Sequence, residues 1–413
     1  MNRREKYLEA AHSIGVKLCR DALWAGSRCT WLGCSMEAVG TSWIPVQKAF
    51  GGDFYAGTSG IALFLADLER ETGERIFRQT AEGALALTLS RQNDFPPDSI
   101  IGLYSGLTGV GYAFMRTGHE DKGLEMFGAL AEADLAKQGL DVVSGAAGAI
   151  PVFLLIWQEY RQEALLQAAI RCGDYLLKKA RPQEMGWSWD TLGGTAPPGQ
   201  KDLTGFSHGT AGIGWAFLEL GHATGDAKFR KAADQAFAYE RHWYNAEQEN
   251  WPDFRSFGAS AGAAPAQPGY GVAWCHGAPG IGLSRLRAFA LTGEGAFRDE
   301  AEAALRTTTR MLQYAPASGQ ANYSLCHGCA GNAELLLQAA RILGGAEHTS
   351  IAEWVAEDGI ERFHATRTPW PSGVPGGWES PNLMLGSAGT GHFLLRLYHP
   401  ETIPPVVMVG PTS

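Results

Sequence analysis

Gly209-Thr210-Ala211-Gly212-Ile213-Gly214-Trp215-Ala216-Phe217-Leu218-Glu219-Leu220 joins a Gly-x-x-Gly pair to a segment that is apolar nearly all round, and Thr224-Gly225 follows it. A helix of that kind is buried on every side. The same unit recurs at Gly57/Gly60, Gly106/Gly109, Gly145/Gly148, Gly277/Gly280, Gly328/Gly331 and Gly386/Gly389. Each pair leads into an apolar segment, such as Ile61 to Leu68 or Ile281 to Leu286. Thr-Gly returns at Thr72-Gly73, Thr117-Gly118 and Thr292-Gly293, where glycine supplies a left-handed helix stop.

The longer stretches before the pairs are amphipathic. Phe229, Ala232, Ala233, Ala236 and Phe237 fall at helical spacing, with Lys231, Asp234 and Glu240 read as the charged outer face. Seven buried helices alternating with seven half-exposed ones are accommodated by an inner ring inside an outer ring, so the expected fold is an all-α, double-layered α/α toroid. A repeat running nearly end to end argues for one domain over 1–413. Every inner helix would then start at the same mouth, where unpaired NH groups and helix dipoles favour an anion such as a thiolate. The glycines let the chain turn tightly at helix entry. Strand content is expected to be minor, and the loops Gly186 to Ser207 and Asn250 to Trp274 are expected to reach the same mouth.

Composition narrows the function classes. A formal charge of -9 gives no basic footprint for nucleic acid. No apolar run approaches the roughly 20 residues of a membrane span. The N-terminus has no apolar signal core, and seven cysteines, an odd number, suit a reducing compartment, so a cytoplasmic location is expected.

Two of the helix entries carry thiols, Trp274-Cys275-His276-Gly277 and Leu325-Cys326-His327-Gly328. In adjacent repeats of a toroid, Cys275, Cys326 and His327 would meet at the rim of the central cavity. Two thiolates and an imidazole select zinc and leave a fourth position open. His208 stands at the same place in the fourth repeat and could be a ligand or a general acid/base. Asp141 approaches the rim in the third repeat, where a carboxylate could orient a proton donor or simply cap the helix. His276 reads as a neighbour of the site, and Cys329 as a residue that could close the metal shell. The Gly-x-x-Gly-x-Gly strings lack the order, preceding strand and lysine of phosphate loops, which excludes nucleotide binding.

These residues resemble the lanthionine synthetase C-like family, and more closely the cyclase domain that ends class II lanthipeptide synthetases. The resemblance runs along nearly the whole chain. It rests on Asp53-Phe54-Tyr55-Ala56-Gly57-Thr58-Ser59-Gly60, Gly205-Phe206-Ser207-His208-Gly209, Asn250-Trp251-Pro252-Asp253-Phe254-Arg255, the two Cys-His-Gly strings, and Leu394-Leu395-Arg396-Leu397. It implies one zinc ion held by Cys275, Cys326 and His327, and cyclisation of a dehydrated precursor peptide. In that reaction cysteine thiols add to dehydroalanine or dehydrobutyrine to form thioether rings. It further implies His208 as the acid/base residue, Asp141 as its assistant, and a separate dehydratase as partner. One departure is Gly271, four residues before Cys275, where stand-alone cyclases often carry arginine; anion stabilisation is then expected from elsewhere, for example Arg255. Two other readings keep the zinc site. One adds glutathione to dehydroamino acids in proteins, and the other binds peptide without turnover.

Overall fold

The computed structural model describes residues 2–39, 42–193, 199–255, 268–319, 321–374, 376 and 379–411. Residues 256–267 of the expected loop from Asn250 to Trp274, and 194–198 of the loop from Gly186 to Ser207, lie outside the described residues.

The helices are α1 (Arg3–Asp21), α2 (Thr58–Thr72), α3 (Arg75–Ser90), α4 (Leu107–Arg116), α5 (Glu120–Ala131), α6 (Ala146–Tyr160), α7 (Glu163–Lys179), α8 (Thr210–Thr224), α9 (Ala227–Trp243), α10 (Ala278–Thr292), α11 (Gly295–Tyr314), α12 (Cys329–Ile342), α13 (Ala346–Gly359) and α14 (Ser387–Tyr398). The even-numbered helices form the inner ring, each packed on its even-numbered neighbours, with α14 meeting α2 to close the circle. The odd-numbered helices form the outer layer. Each inner helix packs on the outer helix that follows it, and α14 takes α1 from the other end of the chain. This is the expected toroid of seven inner and seven outer helices.

Strands are confined to short antiparallel hairpins among the described residues: β1 (Leu23–Ala25) with β2 (Arg28–Thr30), β3 (Leu32–Val39) with β4 (Ser42–Ala49), and β5 (Arg181–Gln183) with β6 (Gly186–Ser188).

The burial pattern follows the sequence signal. In α8 every residue from Thr210 to Leu220 is buried, whereas α9 buries Phe229, Ala232, Ala233, Ala236 and Phe237 on one face. Glu240 corrects the expectation, because it is fully buried while Lys231 stays exposed. Its Oε1 accepts from Gly205 N at 3.0 Å, Ala211 N at 2.8 Å and the Thr210 hydroxyl at 2.6 Å, so it ties the loop before α8 to the outer layer.

Both halves of the repeat signature have a steric or hydrogen-bonding cause. A Cβ at the second glycine of each pair would overlap the carbonyl of the residue six positions earlier, from Phe54 O at Gly60 to Leu383 O at Gly389. At the other helix end, Gly73, Gly225 and Gly293 cap α2, α8 and α10 with φ of 72°, 70° and 71°. The preceding Thr72, Thr224 and Thr292 hydroxyls each donate to the carbonyl four residues back, at 2.8, 2.7 and 2.8 Å.

At the mouth the repeats are sewn together by their backbones. Tyr55 N donates to Tyr104 O, Tyr104 N to Val143 O, Val142 N to Ser207 O, Ser207 N to Cys275 O, Cys275 N to Cys326 O, Cys326 N to Met384 O, and Met384 N to Tyr55 O. The circuit closes on itself. Tyr55, Tyr104, Val143, Ser207, Cys275, Cys326 and Met384 each lie two residues before a first glycine.

Below this circlet the chain's last stretch fills the ring centre. Val406, Val407 and Val409 are buried. Tyr104 Oη donates to Val406 O at 2.7 Å, and Trp274 Nε1 to Val407 O at 2.8 Å. A Cβ on Gly410 would touch Pro151 and Trp215. The tail thus meets repeats two to five.

Candidate metal centre

The circlet positions each side chain of the site. Cys275 and Cys326 are neighbours in it, and His327 is the next residue along. One ligand atom from each of the three lies within 4.8 Å of those of the other two. His327 Nε2 is 2.5 Å from the Gly373 carbonyl, which can only accept, so this nitrogen carries the proton and Nδ1 is left for the sulfurs. That orientation and the S/S/N donor set fit zinc.

The two thiols are in hydrogen-bonding contact. Cys275 donates toward Cys326, which keeps the Cys275 proton on and, together with burial, raises its pKa well above the ordinary thiol value. The same contact pulls Cys326 down, with help from the Tyr55 hydroxyl and the positive charge of Arg255. Burial, then the charges of Cys326 and Cys275, keep the Tyr55 phenol protonated. Burial pulls His327 down, but its contact with Cys275 outweighs that and raises it.

His276 and Cys329 stand apart from this group. Gly277 takes φ of 92°, whereas Gly328 is at -115°, so the two Cys-His-Gly strings diverge after the cysteine. The His276 ring lies 3.9 Å from Asp253, with its centroid 6.0 Å from that of His208. Burial, reinforced by Arg255, lowers its pKa to about 3, so it is a neutral imidazole. Cys329 opens α12, is buried, and has its pKa pushed up to about 12 by burial and by Asp358 of the outer layer. Among the described residues the group that could hold a metal therefore has three members.

His208 and Asp141 come together across two repeats. His208 Nδ1 lies 2.5 Å from Asp141 Oδ2, while Asp141 Oδ1 accepts from Ser144 N at 2.7 Å and Ser144 Oγ at 2.9 Å. Asp141 thus caps its own turn with one oxygen and orients the histidine with the other. Burial pulls His208 down, but the charge and hydrogen bond of Asp141 outweigh it, and its pKa is raised above the ordinary value. Asp253 grips Arg255 through both oxygens, at 3.0 and 2.6 Å, and the Arg255 charge is felt by His208, Cys326 and His327.

Sequence reasoning gave no role to Tyr55, although it sits in a quoted motif, and placed Glu240 on the wrong face. The first could have been found from its position two residues before Gly57, which matches Cys275 and Cys326.

A solved structure named nisin cyclase is similar in fold, at TM-score 0.60 and 18% identity, covering 86% of this chain and 90% of its own. A sugar epimerase from a ruminal bacterium shares the helical ring at TM-score 0.52 and 13% identity, over 97% and 100% of the two chains. A Danio rerio protein named glutathione S-transferase LANCL1 is 25% identical over 277 residues, 63% of this chain; the match spans 59% of that relative's length. The model of the family described as lanthionine synthetase C-like protein matches residues 49–408. With that match running from just before the first glycine pair into the buried tail, the chain belongs to the lanthionine synthetase C-like family.

Proposed function

We propose that the protein is a zinc-dependent cyclase that adds cysteine thiols of a peptide to dehydroalanine or dehydrobutyrine, forming lanthionine and methyllanthionine thioethers. The observation that carries this reading is the convergence of Cys275, Cys326 and His327 beside the His208–Asp141 pair. Zinc bound by those three residues supplies a Lewis acid that lowers the pKa of a substrate thiol.

The chain's own groups do the rest. Inner-helix N-termini and the Arg255 charge favour an anionic sulfur at the mouth. Carbon–sulfur bond formation at the β-carbon leaves an enolate that takes one proton at the α-carbon. His208 delivers that proton from Nε2, because Nδ1 is engaged by Asp141. The thiol proton and the new Cα proton balance, nothing leaves, and product and substrate have the same mass. The substrate must be dehydrated before it arrives, so a dehydratase acts first.

The test is incubation of zinc-loaded protein with a dehydrated, cysteine-containing peptide, followed by thiol alkylation. Loss of alkylatable thiols at constant mass is the expected result, and unchanged thiols across several such peptides would sink the proposal. The likeness to the Danio rerio relative favours a second reading, addition of glutathione to dehydroamino acids. A mass gain of one glutathione per site separates it from cyclisation. No described helix is long and apolar enough to cross a membrane.

A further inference from the structure

A groove of about 800 Å³ opens beside the His208–Asp141 pair and runs outward over the rim of the second to fourth repeats. That volume lies in the upper part of the range of ligand pockets. Its inner wall is made by residues that hold the pair in place. Ser144 lines it and donates to Asp141 through N and Oγ, and Thr191 lines it while its hydroxyl donates to His208 O at 2.6 Å. The groove is thus separated from the His208–Asp141 pair by one layer of residues that hydrogen-bond to it.

The outer wall is cationic. Lys137, Lys178 and Lys179 line it and are exposed. None of the three has a carboxylate partner among the described residues; Lys179 is only 5.6 Å above the Tyr175 ring. Arg181 adds no free positive charge, since Asp190 and Asp202 each hold it at 2.8 Å and leave that trio one negative charge. Asp98 is the one other carboxylate in the lining. The three lysines therefore outweigh that trio and Asp98 by one positive charge, on a chain whose formal charge is -9. Lys178 and Lys179 also suit the last turn of α7, but Lys137 lies in a loop where no helix end explains it.

We infer that this groove is the docking track for an acidic segment of the peptide substrate, which lies along Lys137, Lys178 and Lys179 while the neighbouring cysteine and dehydroamino acid reach the metal centre. The inference rests on the cyclase reading for what the peptide does next, but its docking step needs no turnover. Lysines bind carboxylates as flexible point charges, so recognition is by charge rather than by one sequence and weakens with salt.

The experiment measures fluorescence anisotropy of a labelled peptide with a run of aspartates beside a cysteine, and of its asparagine counterpart. The aspartate peptide should bind about tenfold or more tightly than the asparagine one at low salt, and lose that advantage at high salt. Lys137→Glu with Lys178→Glu should remove the preference while thermal unfolding and zinc content stay as in the parent. Equal binding of the two peptides by the parent protein overturns the inference without using any variant. So does an undiminished preference in the double variant. Lysine-dependent binding with no thioether formed keeps the groove and removes the cyclase reading; thioether formation indifferent to peptide charge does the reverse.

Discussion

The side chains of His208 and Asp141 meet at 2.5 Å although 67 residues separate them, and Asp141 simultaneously caps its own turn through Ser144 N. Asn382 makes the same cap with Leu385 N at 2.8 Å, so an amide can replace the carboxylate in the turn. Asp141→Asn is therefore expected to fold normally while losing the charge that raises the His208 pKa. A proton donor must be protonated, so turnover falls as pH rises through the His208 pKa. In the variant that descending limb should move to lower pH, because the carboxylate charge that favours the protonated imidazole is gone. His208→Asn should lower turnover by roughly 10²–10⁴-fold. Rate–pH profiles of parent and variant are the measurement, and coincident profiles would falsify the assignment of Asp141 as the residue orienting His208.

Metal content separates ligands from neighbours. Cys275→Ala, Cys326→Ala and His327→Ala should each lower zinc per chain, measured by elemental analysis after dialysis. His208→Asn and Cys329→Ala should leave it unchanged. A full zinc complement in all three ligand variants would remove the metal assignment, and zinc loss in Cys329→Ala would add a fourth ligand.

The ring was legible because its cause is local and repeated. Wherever an incoming carbonyl crosses an inner helix, only glycine fits, so the pair appears at each entry. The thiols were legible because the circlet assigns Cys275 and Cys326 the same register, and His327 follows directly. The separation of His327 from its neighbour His276 was also expected, although either string reads Cys-His-Gly; what the sequence does not show is where the strings part, a φ of 92° at Gly277 against -115° at Gly328. Glu240 was misread because a carboxylate near the end of an amphipathic helix looks solvated. Its partners, the Gly205 and Ala211 NH groups, belong to the loop before α8 and to the first turn of α8, far earlier in the chain. The buried tail carries no periodicity at all.

Glu240 makes stability depend on pH. Burial, the largest influence, raises its pKa from 4.5 to about 7 despite Arg285 and its three hydrogen bonds. Between those values the folded state binds the proton and the unfolded state does not, so this residue's contribution falls as pH rises from about 4.5 to 7, by up to about 3 kcal/mol. Glu240→Gln removes the titration. Urea unfolding at acid and neutral pH should show a smaller fall for the variant than for the parent; equal falls would assign the pH dependence to other groups.

The buried tail is expected to be part of the folding unit. Val406, Val407 and Val409 are each at most 2% exposed, and burying a valine contributes roughly 1.5–3 kcal/mol. Their carbonyls also satisfy Tyr104 Oη and Trp274 Nε1, which neighbour Tyr55 and Cys275 in the chain or the circlet. Removing 404–413 empties the ring centre and leaves two buried donors unpaired, at about 1–3 kcal/mol each. Ordering the tail costs part of that gain, so a net loss of about 3 kcal/mol or more is expected. Val407→Asp, which puts an unpaired carboxylate at the same place, should act in the same direction without shortening the chain. Thermal unfolding and zinc retention measured together decide the matter. Both variants should melt earlier and release zinc more readily, whereas parent-like melting would mean that the ring holds its centre open without the tail.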